Sequence, residues 1–215
     1  MAKYKAYIFD FDLTLADSSK AILTCFKHTL TEFGYPIPDD KTIFNTIGLT
    51  LPDAFDVLTG IKPNPQREEM RKVYVKKADE VMAKNTFFYD NVLAILQTLQ
   101  NAGVKVGIVS TKYRYRIVET FDVQSGSFPY DEIVGGEDVE NAKPSPDGLE
   151  LMIKKLNVDK SDVLYIGDSY IDAKTALNAG VDFAGVLTGS TSKSDFEKYP
   201  NICIANNLLE LFTSI

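Results

Sequence analysis

Four short runs of β-branched and aromatic residues, 6–9, 104–109, 163–166 and 183–187, constrain this chain more than any other feature. Each is apolar along its length rather than alternating, and only a strand covered on both faces buries such a run. Between the runs lie helical patterns. Leu149, Met152, Ile153 and Leu156 share one helix face, and Asn157 then marks a turn before the next strand. Alternating strand and helix predict an α/β fold: a Rossmann-like parallel sheet with helices on both faces. Weaker signals at 133–134 and 202–204 would add further strands, the latter at an edge.

The interval between the first strand and residue 104 is too long for one crossover, and it carries helical patterns without a convincing strand. One is Ile22, Cys25, Phe26, Leu30 and Phe33, and another spans 67–83. We expect a small all-α cap domain inserted at 16–84, over the C-terminal edge of the sheet, and a core made of 1–15 and 85–215. Pro36, Pro38, Pro52, Pro63 and Pro65 divide the insert into short helices.

Charge narrows the function classes. Lys and Arg number 23 against 30 Asp and Glu, a net charge of -7, which disfavours nucleic acid and anionic membrane as partners. No apolar stretch reaches the roughly 18 residues of a membrane span. Two distant cysteines, Cys25 and Cys203, make no disulfide framework and suit a reducing, cytoplasmic setting. His28 reads as a surface or boundary residue. The segment 113–116 reads as a solvated helix start, and Arg71, Lys72, Lys76 and Lys77 as a solvated face, from which a basic residue could also touch an anionic substrate.

The chemistry gathers at strand ends, where open α/β sheets bind ligands. The first strand ends in Asp10-Phe11-Asp12-Leu13-Thr14 and the second in Ser110-Thr111-Lys112. Lys143 stands in a segment stiffened by Pro144 and Pro146, and the next strand ends in Gly167-Asp168-Ser169, with Asp172 four residues after Asp168. Taken singly, each has an ordinary reading as a turn or a helix cap. Together they bring carboxylates, a hydroxyl and a lysine to one rim.

This order and spacing resembles the haloacid dehalogenase superfamily, over essentially the whole chain. The resemblance implies a Mg²⁺-dependent phosphatase with a helical cap. It makes Asp10 the nucleophile that forms an aspartyl-phosphate and Asp12 the general acid and base. Asp12 would start protonated, favoured by other carboxylates nearby. Backbone and side chains of Phe11, Asp12, Ser110, Thr111 and Lys143 would hold the phosphate. Asp10, Asp168 and the carbonyl of Asp12 would hold Mg²⁺, with Thr14, Ser169 and Asp172 supporting these groups from behind. Thr46, Ile47, Gly48 and Leu49 resemble the cap's substrate-specificity loop. Asp12 argues against haloalkanoate dehalogenases and phosphonatases, which lack an acid there.

One position departs from the family: Leu13 stands where glycine is usual. If that position needs positive φ, leucine is strained there, and the site is still expected to form. The pattern is most similar to phosphoglycolate phosphatases and implies a small phosphorylated metabolite as partner, with the chain a monomer or homodimer. Segments 105–112 and 137–140 also look like bacterial pyrophosphatases, and β-phosphoglucomutases share the motifs. A phosphoacceptor signalling domain is the alternative of another class, opposed by Asp12 and by the cap.

Overall fold

The computed structural model describes residues 3–214. Its strands are β1 (Ala6–Phe9), β2 (Ala16–Asp17), β3 (Phe87–Phe88), β4 (Lys105–Val109), β5 (Glu132–Val134), β6 (Val163–Gly167), β7 (Asp182–Val186) and β8 (Cys203–Ala205). The helices are α1 (Ser19–Glu32), α2 (Asp40–Phe44), α3 (Leu51–Thr59), α4 (Arg67–Val81), α5 (Val92–Asn101), α6 (Arg114–Gln124), α7 (Asp147–Leu156), α8 (Tyr170–Ala179), α9 (Lys193–Phe196) and α10 (Leu208–Ser214). Six strands form one sheet in the order β5-β4-β1-β6-β7-β8, every pair parallel.

The apolar runs are buried for the reason the sequence suggested. Tyr7, Phe9, Val106, Ile108, Leu164 and Ile166 face α5, α6 and α10. Ala6, Ile8, Val109, Val163 and Tyr165 face α7 and α8 on the other side. Gly107 permits the close approach of α7: a Cβ there would stand 2.7 Å from Met152 Sδ. The strand ends differ slightly from expectation. Val104, Leu187 and Ile202 fall just outside β4, β7 and β8, because pairing begins or ends one residue away.

β1 lies between β4 and β6, so the chain leaves it to one side and later returns to the other. The ends of β4, β1 and β6 therefore open beside one another, in the crevice such a reversal creates.

Helices α1 to α4 pack around an apolar cluster of their own. Phe26, Phe55 and Tyr74 meet at its centre, with ring centroids 4.8 Å apart for Phe26 and Tyr74. The chain enters and leaves this helical segment through β2 and β3, which pair antiparallel. Sequence periodicity gave no sign of this pair, since two residues are too few to show a period of two. Among the described residues no helix is long and apolar enough to cross a membrane.

Candidate active site

Asp10 follows β1 directly, anchored by its backbone N–H donating to the Ile166 carbonyl at 2.9 Å. Asp10, Asp12, Ser110, Asp168 and Asp172 are all buried. Lys143 Nζ lies 2.9 Å from Asp10 Oδ1 and 2.6 Å from Asp172 Oδ1. Lys143 is thus the charged neighbour of Asp10 Oδ1, a buried carboxylate oxygen with no other side-chain partner among the described residues. Burial pushes the Asp10 carboxyl up to about 6, against the opposing pull of Lys143. Burial, then the charges of Asp172 and Asp10, raises Asp168 well above the usual carboxylate range. For Lys143, burial alone would lower the ammonium pKa. Asp10 and Asp172 outweigh it and raise the value well above normal.

The supporting residues act as a frame. Thr14 Oγ1 donates to Asp168 Oδ1 at 2.9 Å. Ser169 caps α8 reciprocally with Asp172: the Ser169 backbone N–H and hydroxyl both donate to Asp172 Oδ2. The Tyr165 hydroxyl donates to Asp172 Oδ1 at 2.9 Å and accepts from Lys143 at 3.2 Å. Asp172 therefore has both oxygens engaged and is set to hold Lys143. Gly189 closes against the site: a Cβ there would stand 1.9 Å from Asp168 Oδ2.

The residues fit a divalent cation. Carboxylate oxygens of Asp10, Asp168 and Asp172 lie within 4.8 Å of one another. With Asp12, four carboxylates gather around two ammonium groups, Lys143 and Lys112. With every carboxylate ionised, the state a metal ion would favour, the crevice holds an excess of two negative charges and offers oxygen ligands. A hard ion such as Mg²⁺ matches both the charge and the donor set. Since Asp172 is fully engaged, Asp10 and Asp168 are the side chains that would hold it.

Asp12 departs from the expected setting. Its Oδ1 accepts from Ser18 at 2.5 Å and pairs with Lys112 Nζ at 2.8 Å, so a hydroxyl and an ammonium hold it rather than other carboxylates. Phe11 contributes backbone alone, because its side chain is wholly buried against Phe88 and Phe121. Ser110 and Thr111 follow β4, and with Lys143 they line one small recess.

Thr46, Ile47, Gly48 and Leu49 share one chamber with Asp12, and a Cβ on Gly48 would lie 3.9 Å from Ser169 Oγ. Two expectations of solvated residues do not hold. Arg116 is 5% exposed and donates to the Val75 carbonyl and to Asp79, while Arg71 turns inward to the Tyr113 hydroxyl. Helix α6 is thus the seat of the helical segment, which no single-helix pattern reveals.

Leu13 takes the strained option. Its φ is 61°, in the left-handed region, with its N–H bound to the Ala16 carbonyl and its own carbonyl accepting from Thr188. Its side chain is 2% exposed. Leu13→Gly removes roughly 1–2 kcal/mol of backbone strain but also a buried leucine worth about 2–5 kcal/mol. The expected net change is a loss of about 2 kcal/mol in urea unfolding, and a more stable variant would show that strain dominates.

The model of the haloacid dehalogenase-like hydrolase family matches residues 7–186. A pyrophosphatase PpaX of Listeria monocytogenes serotype 4a is 31% identical over 188 residues, 86% of this chain and 83% of that protein. Among solved structures, a haloacid dehalogenase-like hydrolase from Bacteroides fragilis is 45% identical. It superposes with a TM-score of 0.94 over 97% of this chain and 100% of that one. A predicted phosphoglycolate phosphatase from Haemophilus somnus, 18% identical, shares the fold with a TM-score of 0.87 over 100% of this chain and 99% of that one. The matched segment contains Asp10, Ser110 and Asp168, which strand ends bring to one crevice, and Lys143, which the loop before α7 adds, and the chain belongs to the haloacid dehalogenase-like hydrolase family.

Proposed function

We propose that this hydrolase is a Mg²⁺-dependent phosphatase acting on a small phosphomonoester through Asp10. The observation that carries the reading is the buried Asp10 carboxylate, whose Oδ1 has the Lys143 ammonium at 2.9 Å as its partner, at the opening between β4, β1 and β6. A carboxylate oxygen of Asp10 attacks phosphorus; a P–O bond to Asp10 forms as the P–O bond to the leaving group breaks, and Asp12, in its protonated form, delivers a proton to the departing oxygen. Water then attacks the aspartyl-phosphate, Asp12 takes its proton, and phosphate leaves with Asp10 restored. Ser18 and Lys112 hold the Asp12 carboxyl in place between the two steps. Ser110, Thr111, Lys143 and the backbone of Phe11 and Asp12 surround the transferring oxygens. Mg²⁺, when held by Asp10, Asp168 and the Asp12 carbonyl, supplies compensating charge for the phosphoryl oxygens.

Thr46 to Leu49 close the chamber from the cap and would select the leaving group, with a phosphoglycolate-like monoester the first substrate to try. Pyrophosphate is the second, favoured by the name of the Listeria relative and by the cations around Asp12. The receiver-domain alternative is disfavoured by membership of a hydrolase family and by the enclosed chamber. The test is phosphate release from 2-phosphoglycolate, pyrophosphate, hexose phosphates and nucleoside monophosphates. Turnover of at least one is expected, falling about 10³-fold or more when EDTA removes the metal. A folded protein that releases phosphate from none with Mg²⁺ present would reverse this reading.

A further inference from the structure

The phosphoryl group belongs at Asp10, so the chamber under the cap is the place of the leaving group. This cavity of about 270 Å³ opens onto Asp12. It stands near the lower end of small-molecule pockets, about 300–1,000 Å³, and exceeds what a five-atom glycolate or phosphate fills. Its walls are of two kinds. Ile22, Phe26, Ile47, Leu49 and Met82 form an apolar side, whereas Arg71, Lys112 and Arg116 bring cations. Among the described residues Asp12 is the single carboxylate in the lining.

Lys112 is engaged by Asp12 at 2.8 Å. The two arginines meet at the seam between α4 and α6, where Arg71 Nη1 donates to the Tyr113 hydroxyl at 3.0 Å and Arg116 Nη2 to the Val75 carbonyl at 2.8 Å. Their acidic partners, Glu68 and Asp79, stand outside the lining with side chains 54% and 55% exposed, where water screens them. Arg116 Nη1 is buried and has no hydrogen-bond partner. A buried guanidinium N–H without an acceptor is costly, and the guanidinium brings to the chamber wall a positive charge that only Asp12, among the described lining residues, can oppose.

We infer, on the phosphatase reading above, that the substrate's leaving group carries a negative charge of its own, read by Arg71 and Arg116, on an apolar body that lies along the cap wall. The class is a phosphomonoester larger than phosphoglycolate whose far end bears a carboxylate or a second phosphate.

The test compares 4-carboxyphenyl phosphate and 1,4-phenylene bisphosphate with 4-carbamoylphenyl phosphate and phenyl phosphate, in the presence of Mg²⁺. The carbamoyl ester has the better leaving group, so intrinsic reactivity opposes the inference. At least one of the charged esters is expected to exceed the carbamoyl ester by about tenfold or more in kcat/KM, mostly through KM, and which one does so identifies the anion. Arg71→Met should remove most of that advantage, and Arg116→Lys, which keeps a charge but draws it back from the chamber wall and loses the planar guanidinium, should reduce it. Lys72→Met, on the exposed face of α4, should leave it intact. Equal turnover of all esters, or an advantage that persists in both arginine variants, would overturn the inference alone. Turnover of none of these esters by a protein that releases phosphate from the panel above would also overturn the inference alone, whereas turnover of none in either set would overturn the phosphatase reading and this inference with it.

Discussion

Asp10→Asn is expected to abolish phosphate release, by about 10⁴-fold or more in kcat, without unfolding the chain. The amide occupies the volume of the carboxylate but offers no anionic oxygen to attack phosphorus. Stability should move the other way. Burial holds the Asp10 carboxyl up to about 6, so at neutral pH the folded, metal-free protein carries a charge its surroundings disfavour. The sign follows from linkage: a carboxyl whose folded pKa lies above its unfolded value lowers stability at pH above that folded value. Asparagine removes this cost, and Lys143 keeps Asp172 as its partner at 2.6 Å. The melting temperature of Asp10→Asn without metal should therefore equal or exceed that of the natural chain at pH 7.5. Residual turnover within tenfold of the natural chain would assign the attack to another group, and a large fall in melting temperature would contradict the electrostatic account.

Much of the core and the phosphoryl end of the site was legible because it rests on local signals. A run such as Val163 to Gly167 is buried on both faces whatever surrounds it, and the acid that follows it must emerge at the sheet edge. The second half of the site was not legible for the opposite reason. Lys112 stands two residues after Ser110, yet nothing local says that its ammonium turns to Asp12 and not to solvent. Tyr165 reads as one more apolar strand residue, although a buried tyrosine needs a partner for its hydroxyl and finds Asp172 and Lys143. Arg71 and Arg116 lie 45 positions apart on α4 and α6, and periodicity along one helix cannot report a contact between two. Leu13 is the instructive middle case: the departure from glycine identified the strained position, and only the backbone showed that the strain is present.

Replacing Lys143 by Met is expected to cost about 3–5 kcal/mol of stability in addition to turnover, because it breaks a buried ion pair from one side. The ammonium stands between Asp10 at 2.9 Å and Asp172 at 2.6 Å, and both its own side chain and that of Asp10 are nearly inaccessible to water. Methionine fills most of the volume and none of the charge, leaving carboxylates to face one another in a crevice that cannot solvate them. The second substitution identifies the cause. In Lys143→Met/Asp172→Asn, the new amide can turn its NH₂ to the Tyr165 hydroxyl while its oxygen keeps the Ser169 donors, so the frame of α8 survives and one negative charge is gone. The double variant should recover about half of the lost stability, a coupling of at least about 1 kcal/mol in a cycle measured by urea unfolding at pH 7.5 without metal. Loss of less than about 1 kcal/mol in Lys143→Met would mean that water or structural relaxation already neutralises the pair. Additive losses in the double variant would mean that Asp172 holds up α8 through its cap alone and is not stabilised by the lysine.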